Sequence, residues 1–337
     1  MADSDAKNPA DHPAKEDVPP RSANEPDRGR EAEHPGELKR GWKDVLWRTK
    51  QQLNEDNLSF IAAGCAFYSF LAVVPALAVA IAVYALFANP GDLSRELDLL
   101  ARVVPGEVMP LLEEQMKRIA SNNTAAGVSA AIGVLVALYS SANATKALIT
   151  GMNVAYDERE KRGFLKLNAE ALALPLAGIV GVLVAVALLA VLPAVLRATL
   201  GWGLNITWLR WPLLVGLFVV GVACLYRWAP SRDGAKWIWI SPGAILAAIL
   251  WVIGSALFSL YVSKFGSYDK TYGSLGAVVV FMMWLYLTAY VVLLGAEMNS
   301  EMERQTKRDT TEGEPQPLGS RGAYAADTVG PSKDGKG

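Results

Sequence analysis

The chain has 337 residues, a formal net charge of −1, and 52% hydrophobic against 19% charged residues. This near-neutral charge gives no indication of a nucleic-acid partner, and both histidines, His12 and His34, lie in a polar N-terminal region. The two cysteines, Cys65 and Cys224, lie in apolar stretches, so the sequence predicts no disulfide framework.

The first and last segments of the chain are polar. Residues 1–38 hold six prolines among charged residues, and residues 303–337 are rich in Gly, Thr, Asp and Lys. Such segments bury too little apolar surface to offset the loss of conformational entropy on ordering. We therefore predict a disordered cytoplasmic tail at each end. Residues 42–57, which mix apolar with charged side chains, favour an interfacial helix that leads into the membrane.

Long apolar runs fill the region between the tails, and about 20 apolar residues are enough for a helix to cross a bilayer. We predict six spans, at about residues 59–87, 125–150, 170–197, 210–228, 239–263 and 274–299. The predicted fold is all-α: a polytopic membrane protein whose six-helix transmembrane domain covers residues 39–302.

The connection between the first two spans, residues 88–124, carries its own pattern. Apolar residues recur there at helical spacing on both sides of Pro105 and Gly106. This pattern predicts an amphipathic helical connection at the outer membrane surface.

The placement of Lys and Arg predicts the orientation. Basic residues precede the first span, follow the sixth, and lie in the second-to-third and fourth-to-fifth connections. By the positive-inside rule, both termini are expected in the cytoplasm.

Polar residues within the predicted spans are the candidates for a functional interior. Two of them, Lys146 and Glu297, are predicted at similar depth, which leaves open an ion pair, snorkelling or a role in lining a solute path. Pro75 is the best candidate for a functional helix break. The full set of interior candidates, several of which share a helix face, is Tyr68, Ser69, Pro75, Tyr139, Asn143, Lys146, Asn153, Tyr286, Tyr290 and Glu297.

The sequence offers no catalytic constellation, phosphate-binding loop or metal-ligand spacing. We therefore expect no catalytic, cofactor-binding or metal-binding residues, and no enzyme. Two functions stay open: movement or export of a lipid or amphipathic solute, and a non-transporting scaffold or envelope-assembly role. The expected partners are membrane lipids rather than nucleic acid, and a homo-oligomer or an envelope protein partner is left open.

Several stretches of the chain carry a family resemblance. They are residues 66–75 (AFYSFLAVVP), 139–143 (YSSAN), 272–277 (YGSLGA), 284–286 (WLY) and 294–297 (LGAE). On these stretches, over roughly residues 40–300, the chain resembles the YihY/BrkB family of bacterial inner-membrane proteins. The resemblance implies a six-helix bundle with cytoplasmic termini, and no settled activity. Members have been labelled virulence factor or ribonuclease BN, and we regard the second label as a misassignment because this sequence offers nothing with which to cut RNA.

Overall fold

A computed structural model of the chain describes residues 28–87, 124–178, 180–181, 210–264 and 274–333. Within these residues the secondary structure is helical, apart from one isolated β-bridge between Ala235 and Thr311. The all-α prediction is thus confirmed for the described part of the chain. The predicted amphipathic connection lies almost wholly outside the described residues, as does the third predicted span beyond residue 181.

A 3₁₀ turn at Pro35–Glu37 precedes the helices. In chain order they are α1 (Gly41–Glu55), α2 (Leu58–Phe87), α3 (Thr124–Ala155), α4 (residues 164–178), α5 (Arg210–Trp228), α6 (Trp237–Lys264), α7 (Ser274–Glu303) and α8 (Tyr324–Asp327). Helices α2, α3, α5, α6 and α7 begin within two residues of the predicted span starts.

Helices α3 and α7 run four to five residues past their predicted ends. Helix α3 continues to Ala155, and the chain then turns at Asp157, whose φ of 54° is left-handed. A left-handed Asn57, with φ of 50°, likewise separates α1 from α2. Asn and Asp tolerate this conformation better than most side chains, which explains why the helices break at these points.

Among the described residues, two helical segments are long and apolar enough to cross a membrane, Trp237–Ser263 in α6 and Val278–Glu303 in α7. Shorter apolar helices cover Leu58–Ala72 and Pro212–Trp228. Along α6, the large apolar side chains of Ile245, Ile249 and Leu257 are about half exposed. Apolar side chains on the outside of a helical bundle fit a lipid-facing surface.

Helix α7 is the centre of the packing, since it contacts α1, α2, α3, α6 and α8. One core cluster includes buried side chains from α2 to α8, among them Ala62, Ile149, Tyr226, Ala247 and Leu293. The Tyr226 hydroxyl donates to the Val292 carbonyl oxygen at 2.6 Å, so the polar end of this buried ring is satisfied.

Helices α6 and α7 approach most closely at two glycines. A Cβ atom at Gly243 would overlap the carbonyl oxygen of Gly295, and one at Gly295 would overlap the Tyr226 hydroxyl. Small residues at a crossing let helix backbones approach, which here brings α5, α6 and α7 together.

Pro242 lies inside α6, where its ring disturbs the backbone hydrogen bonds of the first turns. The side chain of Asn299 on α7 compensates. Its Nδ2 donates to the Ile240 carbonyl at 3.0 Å, and its Oδ1 accepts from the Gly243 N–H at 2.8 Å. The prolyl residue therefore neither ends nor frays α6, because a neighbouring helix satisfies the affected groups.

Parts of the predicted tails, residues 1–27 and 334–337, lie outside the described residues. Residues 28–38 and 303–333 are folded against the bundle, with Leu38, Thr306 and Thr310 fully buried. The Arg321 guanidinium donates to the carbonyl oxygens of residues 307, 308, 316 and 326, which fixes the C-terminal segment to itself. These segments are ordered both by hydrogen bonds to buried polar groups and by the burial of apolar side chains such as Leu38 and Ala325.

Candidate functional site

One end of the bundle is built from charged and polar groups, and we name it the polar end. It consists of residues 28–57, 153–163, 229–236 and 299–333. Backbone and side-chain hydrogen bonds join these segments: Lys307 N to Arg30 O and Lys236 N to Thr310 O, each at 2.8 Å, and Ser231 N to Asn153 Oδ1 at 2.7 Å. Four distant stretches of sequence thus form one structural unit.

Glu301 lies at the middle of the polar end and is fully buried between two arginines. The Arg48 side chain pairs with its Oε2, and Arg304 Nη1 donates to its Oε1 at 2.6 Å. Arg48 also donates to Gln305 Oε1 at 2.9 Å. Although burial opposes charge on Arg304, the Glu301 carboxylate beside it raises the pKa of that guanidinium. Arg304 therefore stays charged, and the contacts of Arg48 hold α1 against the end of α7.

A second buried pair joins the connection after α5 to the end of α7. Arg232 donates to both carboxylate oxygens of Glu303, at 3.0 and 2.7 Å, and Thr310 Oγ1 donates to Glu303 Oε2 at 2.7 Å. The Arg232 guanidinium lies 4.9 Å from the centre of the Tyr156 ring. Burial opposes charge on Arg232, yet the Glu303 carboxylate raises its pKa.

The connection between α3 and α4 is fixed by Asn153 and Glu160. Asn153 Nδ2 donates to Glu160 Oε2 at 3.0 Å, and Arg162 makes a double hydrogen bond to the same carboxylate, each at 2.7 Å. The hydrogen bonds from Arg162 lower the pKa of Glu160 from its ordinary 4.5 to about 2. Asn153, predicted from sequence as an interior polar residue, thus holds the connections of the polar end in place.

A cavity of about 570 Å³ opens beside these pairs, and we name it the basic cavity. It lies between the start of α4, the end of α5 and the connection 229–236, with the C-terminal segment on one side. Among the described residues that line it, five are cationic (Lys161, Arg162, Lys166, Arg227, Arg232) and three are acidic (Glu170, Asp233, Glu312). Sequence reasoning read these basic residues only as an orientation signal, and nothing in their spacing showed that they share a cavity.

Glu297 is the sequence-predicted residue with the most unusual surroundings. It lies on α7, one turn before Glu301, and is 1% exposed. Its Oε2 has no hydrogen-bond partner among the described residues. The ion pair with Lys146 that the sequence left open does not form in the structure, where Lys146 is only partly buried and its carbonyl oxygen accepts from Thr150 Oγ1.

Four of the interior candidates predicted from sequence, Tyr139, Asn143, Lys146 and Asn153, form a polar stripe along α3. Most of this stripe lies beside the buried face of the helix rather than on it. Ala142 and Ile149 face the core, whereas Tyr139 is 70% exposed and Asn143 is partly buried. The stripe therefore reaches the core only at its Asn153 end. The reason is geometric, since a one-residue step rotates a helical side chain by about 100° and moves the neighbours of core residues to the flank.

The remaining candidates lie on α2 and α7. Tyr68 is exposed and Ser69 partly buried on α2. Pro75 lies within the helical range of α2, and its side chain is outside the described part of the chain. Tyr286 and Tyr290 stack on α7 with ring centroids 6.1 Å apart, and Tyr290 packs against the core. Among the described residues, none of these side chains forms a hydrogen bond with Glu297.

Sequence reasoning missed the charged residues that organise the polar end, namely Arg48, Arg232, Glu301, Glu303 and Arg304. A signal for part of the set was present. Glu297 and Glu301 are four residues apart, as are Ser300 and Arg304, so the helical period continues past the predicted end of the sixth span.

The described residues contain no group of three or more His, Cys, Asp or Glu side chains placed to hold a metal ion. The chemistry that the polar end does offer is recognition of charge. Its fixed ion pairs are internal, while the more exposed cations at the basic cavity face open space.

Several known proteins are similar in sequence to this chain over most of its length. The ribonuclease-like protein YfkH of Bacillus subtilis (strain 168) is 29% identical over 253 residues, which cover 73% of this chain and 90% of that protein. A UPF0761 membrane protein of Tolumonas auensis is 28% identical over 274 residues, covering 78% and 85% of the two chains. One from Vibrio parahaemolyticus is 27% identical over 265 residues, covering 76% and 81%. No solved structure matches the chain.

The family model for virulence factor BrkB matches residues 49–318, a range that contains the second half of α1, all of α2 to α7 and more than half of the polar end. The expected resemblance is therefore confirmed, and the relatives named as membrane proteins agree with the apolar helices α6 and α7. The chain is an integral membrane protein that belongs to the BrkB (YihY) family.

Proposed function

We propose that this protein moves a lipid or another amphipathic solute across the bacterial inner membrane. The observation that carries the proposal is Glu297, the first carboxyl group after the long apolar run of α7, which is buried and has one oxygen with no partner among the described residues. Ionisable groups inside membrane helices are costly, and they usually mark a solute or ion pathway.

The neighbours of Glu297 sharpen the argument. Glu301, one helical turn further on, is satisfied by Arg48 and Arg304, as a structural carboxylate should be. Asn299 and Tyr226 are likewise hydrogen-bonded to backbone groups. Glu297 has no such role in holding the bundle together, which supports a functional one: to bind a polar head group or a proton as the helices move.

The test is lipid transfer between leaflets in reconstituted vesicles that carry a fluorescent phospholipid, read by chemical quenching of the outer leaflet. The wild-type protein should accelerate transfer, and Glu297→Gln, which keeps the size of the side chain, should reduce the rate at least tenfold. Glu314→Gln makes the same chemical change at an exposed position and serves as the control. Transfer no faster with wild-type protein than in empty vesicles would refute transport of that lipid.

We also propose six membrane spans with both termini in the cytoplasm. Two features support this topology: the concentration of Lys and Arg at the polar end, and the meeting there of residues 28–57, 156–163, 229–236 and 304–333. For these segments to meet on one side of the membrane, the chain must cross the membrane an even number of times between each segment and the next. A reporter that is active only outside the cytoplasm should be inactive when fused at Lys161 or Arg232 and active at Gly203, and activity at Lys161 would refute the topology.

A scaffold or envelope-assembly role is the alternative, with a homo-oligomer or an envelope protein as partner. One observation favours it: residues 312–320 form an exposed surface. Hydrogen bonds from the Gln316 N–H to Asp309 and from Arg321 to the Gln316 carbonyl oxygen hold this surface in place. Cross-linking from this surface in whole cells, combined with inactive wild-type protein in the vesicle assay, would favour the scaffold.

We further propose that the protein is not an enzyme and uses no cofactor. The internal pairing of Glu301, Glu303, Arg48 and Arg232 supports a structural use of these charges. Purified protein should not cleave RNA with or without added divalent metal. Cleavage that co-purifies with the folded protein and is abolished by Glu297→Gln would refute this proposal.

A further inference from the structure

The basic cavity differs from the rest of the polar end in how its cations are placed. Arg162 and Arg232 are nearly buried and held by carboxylates. In contrast, the side chains of Lys161 and Lys166 are 58% and 70% exposed. Lys166 Nζ lies 4.0 Å from Glu170, a carboxylate that already pairs with Arg162. Lys161 Nζ donates to Glu158 Oε2 at 3.0 Å, and the other oxygen of that buried carboxylate accepts from the Tyr324 N–H. Lys166 can therefore turn to a ligand without losing a close partner, and Lys161 has further N–H donors for a ligand while it stays bonded to Glu158.

A third cation of the basic cavity has an exchangeable partner. Arg227 pairs with Glu312, whose side chain is 51% exposed and belongs to the C-terminal segment. The Arg227 guanidinium is fixed from the other side by the Ala235 carbonyl oxygen and lies 4.9 Å from the centre of the Trp237 ring. Arg227 is thus held in place at the cavity, and Glu312 occupies the position that an anionic ligand would take.

The surroundings of the basic cavity are those of a membrane interface. Trp228 lines the cavity and is 55% exposed, and its ring meets Trp237 edge to face with centroids 6.0 Å apart. Phe164 and Leu165, next to the lining residue Gly163, are more than three-quarters exposed. Exposed aromatic residues beside lysines are typical of the head-group layer of a bilayer.

From this combination we infer that the basic cavity binds a net-anionic phosphate group, that of a phospholipid head group such as phosphatidylglycerol, through Lys161, Lys166 and Arg227. Basic pockets between membrane helices are suited to such head groups, because the lysines attract the charge and the arginine provides a fixed pair of donors. This assignment rests on the proposed function, since it names the head group of the moved lipid, but binding is measured separately from movement.

The binding test uses full-length protein in neutral detergent and the water-soluble lipid dihexanoyl-phosphatidylglycerol, with the Kd read by thermophoresis. Lys161→Gln/Lys166→Gln should weaken binding at least tenfold, because each lysine near an anionic head group contributes about fivefold. Lys43→Gln/Lys50→Gln removes the same charge from exposed positions on α1 outside the cavity and should change the Kd less than about twofold.

A second variant gives the opposite sign, which a loss of folding cannot imitate. Glu312→Gln removes the carboxylate that competes for Arg227, so it should tighten binding several-fold, whereas Glu314→Gln should not. Melting temperatures of all variants, compared with wild type, verify that each is folded.

The outcomes separate the sources of the phosphate and the two proposals. Glycerol phosphate that binds as tightly as the lipid would identify a soluble phosphate as the ligand, and much weaker binding would identify the lipid. The site would be overturned if dihexanoyl-phosphatidylcholine, whose head group has no net charge, bound as tightly as dihexanoyl-phosphatidylglycerol. An unchanged Kd in the Lys161→Gln/Lys166→Gln variant would overturn it as well. If wild-type protein binds phosphatidylglycerol through the lysines but does not move it between leaflets, the site stands and transport fails.

Discussion

The bundle of α5, α6 and α7 and the polar end satisfy their polar groups in opposite ways. In the bundle, each helix satisfies most of its own backbone groups, with Asn299 serving those near Pro242. Small residues such as Gly243 and Gly295 set the helix spacing there, and large apolar side chains lie outside. At the polar end, the side chains of Arg48 and Arg232 satisfy carboxylates from distant segments, and Arg321 satisfies carbonyl oxygens within the C-terminal segment. The bundle is held by close packing, and the polar end by a network of charge-assisted hydrogen bonds.

This difference explains how each region should respond to change. Removing one member of such a network destabilises the protein strongly, because the charge that loses its partner stays buried away from water. A packed helix crossing instead fails when volume is added, and it tolerates changes on its outer surface.

The largest effect is expected from removal of the C-terminal segment. A chain that ends at Gln305 lacks the Thr310 hydroxyl that donates to Glu303 and the Pro331 carbonyl oxygen that accepts from Arg48. Its truncation also exposes the buried charges of the polar end to solvent. We expect little folded protein in detergent extracts, measured by size-exclusion chromatography. A chain that ends at Lys333 retains every contact described above and serves as the control, and equal yields of the two would contradict the folded polar end.

The next largest effect concerns the pair of Arg48 and Glu301. Arg48→Met or Glu301→Gln leaves one charge buried without its partner and should destabilise the protein by about 3–5 kcal/mol. The double variant should recover part of this loss, so a double-mutant cycle from thermal melting in nanodiscs measures the coupling.

Arg40→Met, an exposed change of the same kind in the neighbouring sequence, is the control and should shift the melting temperature little. Strictly additive effects of the Arg48 and Glu301 substitutions would show that the pair is not coupled.

An intermediate effect is expected at the crossing of α6 and α7. Gly243→Ala or Gly295→Ala places a methyl group where the facing backbone already lies, and should cost about 1–3 kcal/mol of stability. Gly216→Ala on α5 has open space around its new Cβ and should be neutral or slightly stabilising, as alanine is the better helix former. Equal melting temperatures for Gly216→Ala and Gly243→Ala would contradict the close approach.

The smallest effect is a dependence of stability on acid pH through Glu160. Its pKa in the folded protein is about 2, below the ordinary value of 4.5, so its contribution is complete above pH 4.5 and disappears as the pH falls toward 2. Because Glu160 is largely solvent-accessible, the contribution should not exceed about 1 kcal/mol. Melting temperatures of wild type and Glu160→Gln should differ at pH 6 and converge near pH 2, and a constant difference would refute the assignment.

The sequence predicted the helical bundle well and the candidate site in part. The starts of α2, α3, α5, α6 and α7 followed from apolar runs, and the family from short motifs such as residues 294–297. Glu297 was identified because a carboxylate within an apolar run is unusual. Its lack of a partner could not be predicted, since Lys146 shares its predicted depth but does not pair with it in the structure.

The sequence by itself determined the all-helical, membrane-embedded character of this protein, because bilayer-length apolar runs are a local property that needs no knowledge of neighbours. Only the tertiary structure decided the polar end. Arg48 and Glu301 are 253 positions apart, and Arg232 and Glu303 are 71 apart. Whether a polar segment is disordered or folded depends on such distant partners, and composition carries no information about them.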